Sequence, residues 1–165
     1  MNFFRPLLLV FVIIILITAG CIGPEQPGDT LYPTTEMTVS PGSEEESSVL
    51  IRISFADQEA IAELYDNAAA NDLRSMLPLT LTFRDYNGAE KIAYPPETLD
   101  TANAPAGYDP EAGDVALYAP WGNIAVFYRD SPYASGLVPL GHVVSGLESL
   151  AAVSGEFSAT IDVLE

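Results

Sequence analysis

The chain has 165 residues and a formal net charge of −17, with Lys91 as the single lysine and only five arginines against 23 acidic residues. So acidic a protein is repelled by phosphate backbones, which excludes nucleic acid as a partner. With one cysteine, Cys21, and one histidine, His142, the sequence has no internal disulfide and lacks the ligands of a zinc centre or a Cys-His dyad, so no metal or other cofactor is expected.

Residues 1–20 read as a lipoprotein signal peptide. Arg5 precedes an uninterrupted apolar run from Leu7 to Ile17, and Thr18-Ala19-Gly20 leads into Cys21. Small residues before a lone cysteine resemble a lipobox, which implies lipid attachment at Cys21 and cleavage just before it. Thr18 stands where leucine is commonest in that signal. The alternative is an uncleaved anchor, but the apolar run is shorter than the ~20 residues that cross a bilayer. Lipidation makes the membrane a partner and places the mature chain on the extracytoplasmic face of the cell membrane.

Residues 21–48 are rich in Pro, Gly, Ser, Thr and Glu and show no hydrophobic period. Such a segment buries too little to offset its ordering entropy, and it reads as a tether. Its run Glu44-Glu45-Glu46 is read as solvated charge rather than a cation site.

One domain is expected over residues 49–165. It opens with Val49 to Phe55, where Leu50, Arg52 and Ser54 alternate with Ile51, Ile53 and Phe55 as in a half-buried strand. Ala56 to Leu77 has two readings. One is a single amphipathic helix; the other, preferred, is a turn, a strand from Glu59 to Tyr65 and a helix capped by Asp66 or Asn67. Leu79 to Phe83 alternates strictly, Asn87-Gly88 supplies a tight turn, and Lys91 to Tyr94 returns before Pro95-Pro96. Glu97 to Ala112 is then a long loop of the kind that often carries function.

Two apolar runs, Val115 to Ala119 and Ile124 to Tyr128, flank Pro120-Trp121-Gly122-Asn123 and form the central hairpin, with Gly122-Asn123 at its tight end. Both faces of the second run are apolar, so this strand is expected to be covered on both sides. Trp121 is read as an anchor packing the turn onto the body, or alternatively as a ligand-facing aromatic. After it come an apolar stretch from Leu137 to Val144, a short helix from Gly146 to Val153 and a final strand from Ala159 to Leu164. His142 lies among apolar neighbours and reads as a packed structural residue. Asp109 to Asp114 lacks the spacing of a calcium loop.

The order of elements resembles a cyclophilin. More specifically, the blocks from Leu77 to Tyr94, Ala106 to Asp130 and Gly136 to Ala151 look like the small prokaryotic cyclophilin-like family, over Ile51 to Glu165. That resemblance implies a mainly β fold, a closed antiparallel barrel of about eight strands with two short helices, one across each opening. It also favours strand then helix over Ala56 to Leu77, and it matches Gly141 to Leu147 with the family segment leading into the last helix.

Isomerase activity is a separate matter from the fold. Cyclophilins present an arginine in a Phe-His-Arg segment, and its guanidinium acts on the proline amide as the bond turns. The nearest match here is Phe83-Arg84-Asp85, which sets Asp85 at the catalytic arginine and Arg84 one residue away, on the opposite strand face. The family's Phe-Met-Gln pocket segment is replaced by the Asn87-Gly88 hairpin, and Tyr133 stands for the tryptophan on the pocket rim. The sequence thus favours a non-catalytic module that holds a small molecule or extended peptide in a mouth bordered by Tyr94, Tyr108, Trp121 and Tyr133. Asp100 and Asp109 would stand at the rim, where the Glu97 to Ala112 loop meets Ser131-Pro132-Tyr133. The alternative is an extracytoplasmic proline isomerase using Arg84 or Arg129, with Lys91 the remaining cation near the groove.

Overall fold

The computed structural model describes residues 48–164, so the leader, Cys21 and the tether up to residue 47 lie outside the described residues. The elements are β1 (Val49–Phe55), β2 (Gln58–Leu64), α1 (Ala68–Ser75), β3 (Leu79–Tyr86), β4 (Glu90–Ala93), β5 (Gly107–Tyr108), β6 (Asp114–Tyr118), β7 (Asn123–Phe127), β8 (Ala134–Ser135), β9 (Leu137–Ser145), α2 (Leu147–Ala152) and β10 (Phe157–Val163). Eight strands close an antiparallel barrel in the order β1-β10-β3-β4-β7-β6-β9-β2, and β5 pairs with β8 as a separate two-stranded sheet.

Period-2 alternation decides what fills the barrel. Ile51, Ile53 and Phe55 of β1 meet Leu81 and Phe83 of β3, Val115 and Leu117 of β6, Ile124 and Val126 of β7, Val138 and Leu140 of β9, and Ile161 of β10 in one core. Helices α1 and α2 add Leu73 and Leu150 to it. An eight-stranded barrel is just wide enough for its own side chains, and here they fill it. The aromatic ring of Phe157 links two of them, edge-on to Phe55 at 5.8 Å and stacked on Phe83 at 5.6 Å.

Strand then helix is the arrangement adopted over Ala56 to Leu77. Asn67 is the cap that ends the ambiguity: its Oδ1 accepts from the Ala70 amide at 3.0 Å while its Nδ2 donates to the Pro139 carbonyl at 3.0 Å, tying the helix start to β9. Asn87 and Gly88 both take the left-handed conformation, φ 53° and 64°, as the expected turn requires. At Gly141, where β2 and β9 pair, a Cβ would run into the Glu63 carbonyl oxygen, so only glycine allows the strands this close.

The central hairpin departs from the expected turn. Tyr118 pairs with Asn123, and the loop between them is residues 119–122, with the Trp121 and Gly122 amides both donating to the Tyr118 carbonyl. Asn123 therefore belongs to β7 and is buried, instead of forming the turn's tip. Every residue of β7 is buried, as its two apolar faces imply: Ile124 and Val126 face the main core, while Ala125 and Phe127 join a second cluster on the outside of the barrel with Ile92, Ala116 and Leu137.

Candidate functional site

That outer cluster is the floor of a cavity of about 290 Å³, bounded by the hairpin loop and by the segment from Ser131 to Ala134. Its apolar base is Ile92, Phe127 and Leu137, contributed by three neighbouring regions of the sheet. Four aromatic rings stand around it: Tyr86 at the end of β3, Tyr118 at the end of β6, Trp121 in the loop and Tyr133 before β8. Trp121 meets Tyr86 and Tyr118 edge-on, with centroids 5.4 and 5.3 Å away. Edge-to-face packing fixes the indole while leaving it 49% exposed. Trp121 is thus not the buried anchor favoured by the sequence; it is held in T-shaped contacts with two tyrosines and stays half exposed.

The far wall exists because the long loop and the segment after Asp130 do meet. Gly107 pairs with Ser135 and Tyr108 with Ala134, and the Ser131 amide donates to the Pro110 carbonyl at 2.9 Å. Tyr108 packs against the outer cluster from this loop, but its ring does not line the cavity. Its hydroxyl is buried without a hydrogen-bond partner among the described residues, and burial, then the nearby Asp114 charge, push its pKa well above the usual phenol value.

Besides Asn87 and Ser131, two polar residues line the cavity from the strands, Glu90 and Asn123. Glu90 lies across the β3–β4 pairing from Tyr86 and across the β4–β7 pairing from Phe127, so its carboxyl stands between two rings. Burial alone pushes it up to about 7. Asn123 is 1% exposed; its Nδ2 donates to the Ile124 carbonyl at 3.3 Å, and its Oδ1 has no partner among the described residues. Sequence reasoning missed both. An isolated glutamate after a turn and an asparagine in a Gly-Asn pair read as solvated turn residues, and only strand register puts them on the outer apolar face.

The remaining expected residues fall elsewhere. The cavity described above lies on the outer face of the barrel, over the second apolar cluster. Tyr94 is away from the cavity and lies beneath Arg84, whose guanidinium carbon is 5.9 Å from its ring centroid. Arg84 does share the outer face, since its Cα partner is the floor residue Ile92, but its guanidinium does not line the cavity. Arg129 sits 6.0 Å over the Tyr128 ring. Lys91 is turned the other way, 1% exposed, with its ammonium on Asp85 and the Val153 carbonyl, both at 2.7 Å. Asp100 is on the opposite side of the loop, where its amide donates to Asp72.

His142 is not a packed core residue, because β9 shifts register between Pro139 and Gly141 and brings it to the outer side opposite Asp114. Its Nδ1 is 3.1 Å from Asp114 Oδ1, and its side chain is 44% exposed. Asp114 also accepts from the Glu111 amide, and Asp130 accepts from Ala112, so carboxylates around Asp109 to Asp114 serve the turn's own backbone.

Comparison with known proteins agrees with this architecture. No curated protein matches the chain. Among solved structures, the solution structure of a hypothetical protein from Archaeoglobus fulgidus is similar, at 24% identity and a TM-score of 0.55, over 74% of this chain and 99% of that one. At that identity the likeness concerns the fold. A sequence profile described as the cyclophilin-like family matches residues 53–162, from the middle of β1 to the end of β10, and the chain belongs to that family.

Proposed function

We propose that this protein is a lipid-tethered, extracytoplasmic binding module that receives a small molecule, or one side chain of an extended peptide, on the outer wall of its barrel and does not isomerise prolines. The observation that carries the reading is the cavity itself: aromatic walls from Tyr86, Tyr118, Trp121 and Tyr133 over an apolar floor, with Glu90 and Asn123 among its polar lining residues. Turning a prolyl amide calls for a preorganised cation at the developing charge. Among the described residues no lysine or arginine lines the cavity. The tether and its lipid follow from the leader and Cys21.

The isomerase reading keeps one observation in its favour, the position of Arg84 on the same sheet face as the cavity floor. Two measurements on the full chain in mild detergent separate the readings. A fragment library titrated by NMR is expected to shift the Trp121 indole signal, and hits unaffected by Trp121→Ala together with Tyr133→Ala would remove the cavity from consideration. A protease-coupled proline isomerisation assay is expected to show no rate above background. Activity abolished by Arg84→Ala would establish the alternative.

A further inference from the structure

We infer that the cavity is a site for an organic ammonium ion, a protonated alkylamine whose N–H groups sit at the Glu90 carboxyl while its carbon chain lies against the aromatic wall. The inference rests on the reading of the barrel as a binding module and names the chemistry of its ligand.

Two independent features point to a cation that donates hydrogen bonds. The first is the Glu90 carboxyl, placed between Tyr86 and Phe127 on the cavity wall. Burial is the cause of its raised pKa, and among the described residues no cation pairs with it. The second is the aromatic lining of the same cavity. Tyr86, Tyr118, Trp121 and Tyr133 attract a cation through their ring quadrupoles, and Trp does so best. Among the described residues, an anion in the cavity would meet a carboxyl and no lining lysine or arginine.

The titratable and charged groups around Glu90 come from several elements. From β3 comes Tyr86, with Asp85 turned inward to Lys91; beyond β7 comes Tyr128, pushed up to about 12, and then Arg129 over that ring. Tyr118, Trp121 and Tyr133 complete the wall. An alkylamine has a pKa near that of lysine, about 10.4, and stays charged over the range in which Glu90 gains or loses its proton. Binding therefore strengthens as Glu90 ionises, and below neutral pH it releases the Glu90 proton to solvent.

Trp121 is the chain's single tryptophan, so its fluorescence reports the cavity directly. The test titrates the full chain in mild detergent with n-butylammonium chloride, and with 1-butanol and tetramethylammonium chloride as probes lacking the charge or the N–H groups. Near pH 8.5 a saturable change is expected with butylammonium at a dissociation constant roughly tenfold or more below those of both controls, weakening roughly tenfold or more near pH 5.5. Glu90→Gln, with an unchanged circular-dichroism spectrum, is expected to remove both the preference for charge and the pH dependence. If that variant misfolds, the probe comparison on the unaltered chain still decides. Equal affinity for butanol and butylammonium overturns the ammonium inference and leaves the binding module standing. No saturable response to any of the three overturns the ammonium inference, and a barren fragment library in addition overturns the module.

Discussion

Lys91 and Tyr128 share one oxygen: the Lys91 ammonium and the Tyr128 hydroxyl each donate to Asp85 Oδ2 at 2.7 Å. Lys91 comes to it from a fully buried position and also donates to the Val153 carbonyl beyond α2, so one carboxylate joins β3, β4, the end of β7 and the last helix. The two partners are unequal, with Asp85 37% exposed and Lys91 1%. Removing the carboxylate strands a buried ammonium, whereas replacing the ammonium by an apolar chain leaves Asp85 partly in water. Asp85→Ala is expected to cost about 3 kcal/mol in urea unfolding and Lys91→Met about 1 kcal/mol or less. The reverse order would show that the carboxylate, not the ammonium, depends on the pair.

The same pair sets an acid limb. Hydrogen bonds from Lys91, then from Tyr128, hold Asp85 below its ordinary value of 3.8. A depressed carboxylate contributes stability that is present above the unfolded pKa and is lost as pH falls through the folded one. The difference in melting temperature between the protein and Asp85→Asn is therefore expected to be largest above about pH 5 and to shrink towards about pH 2. A difference that stays constant down to acid would mean that Asp85 acts by packing alone.

Trp121 now calls for a different expectation from that of a buried anchor. Truncating a buried aromatic costs about 3–5 kcal/mol, but half of this ring is exposed and its ring contacts are the T-shaped ones with Tyr86 and Tyr118. Trp121→Ala is expected to cost about 1 kcal/mol in chemical denaturation while weakening any ligand of the cavity. A loss above about 3 kcal/mol would restore the anchor.

Much of the barrel is legible because its signals are local. The strict alternation of Leu79 to Phe83, the Asn87-Gly88 turn and the two-sided apolarity of Ile124 to Phe127 each report on a few adjacent residues, and each corresponds to an observed element. The misreadings share a cause. β5 and β8 are two residues each, too short for any period, and form only because the loop and the segment after Asp130 come together. Lys91, the lone lysine, has a composition that says surface, yet barrel parity turns it inward, and the same parity turns Glu90 out into the cavity. His142 changes sides through a register shift that no pattern in β9 announces. The site is thus the least legible part, being made of residues whose roles depend on pairing across strands.

Glu90 offers the clearest sign that this wall is kept for something other than stability. Its carboxyl has an ordinary value of 4.5 and is pushed by burial up to about 7, so the folded state holds the proton more tightly than the unfolded one. For a raised pKa the contribution is fully present below about 4.5 and is lost as pH rises through about 7, which makes Glu90 a liability at neutral pH. Since the group is only half buried, solvent screening reduces the effect to about 1 kcal/mol. Glu90→Gln keeps the shape and removes the charge. Its melting temperature is expected to match the parent near pH 4 and to exceed it by a few degrees near pH 8, where the parent's carboxylate is ionised without a counter-ion. An added alkylammonium salt is expected to narrow that gap by stabilising the parent alone. A variant that is less stable than the parent at the higher pH would mean that a partner already compensates Glu90, and the wall would then be structural.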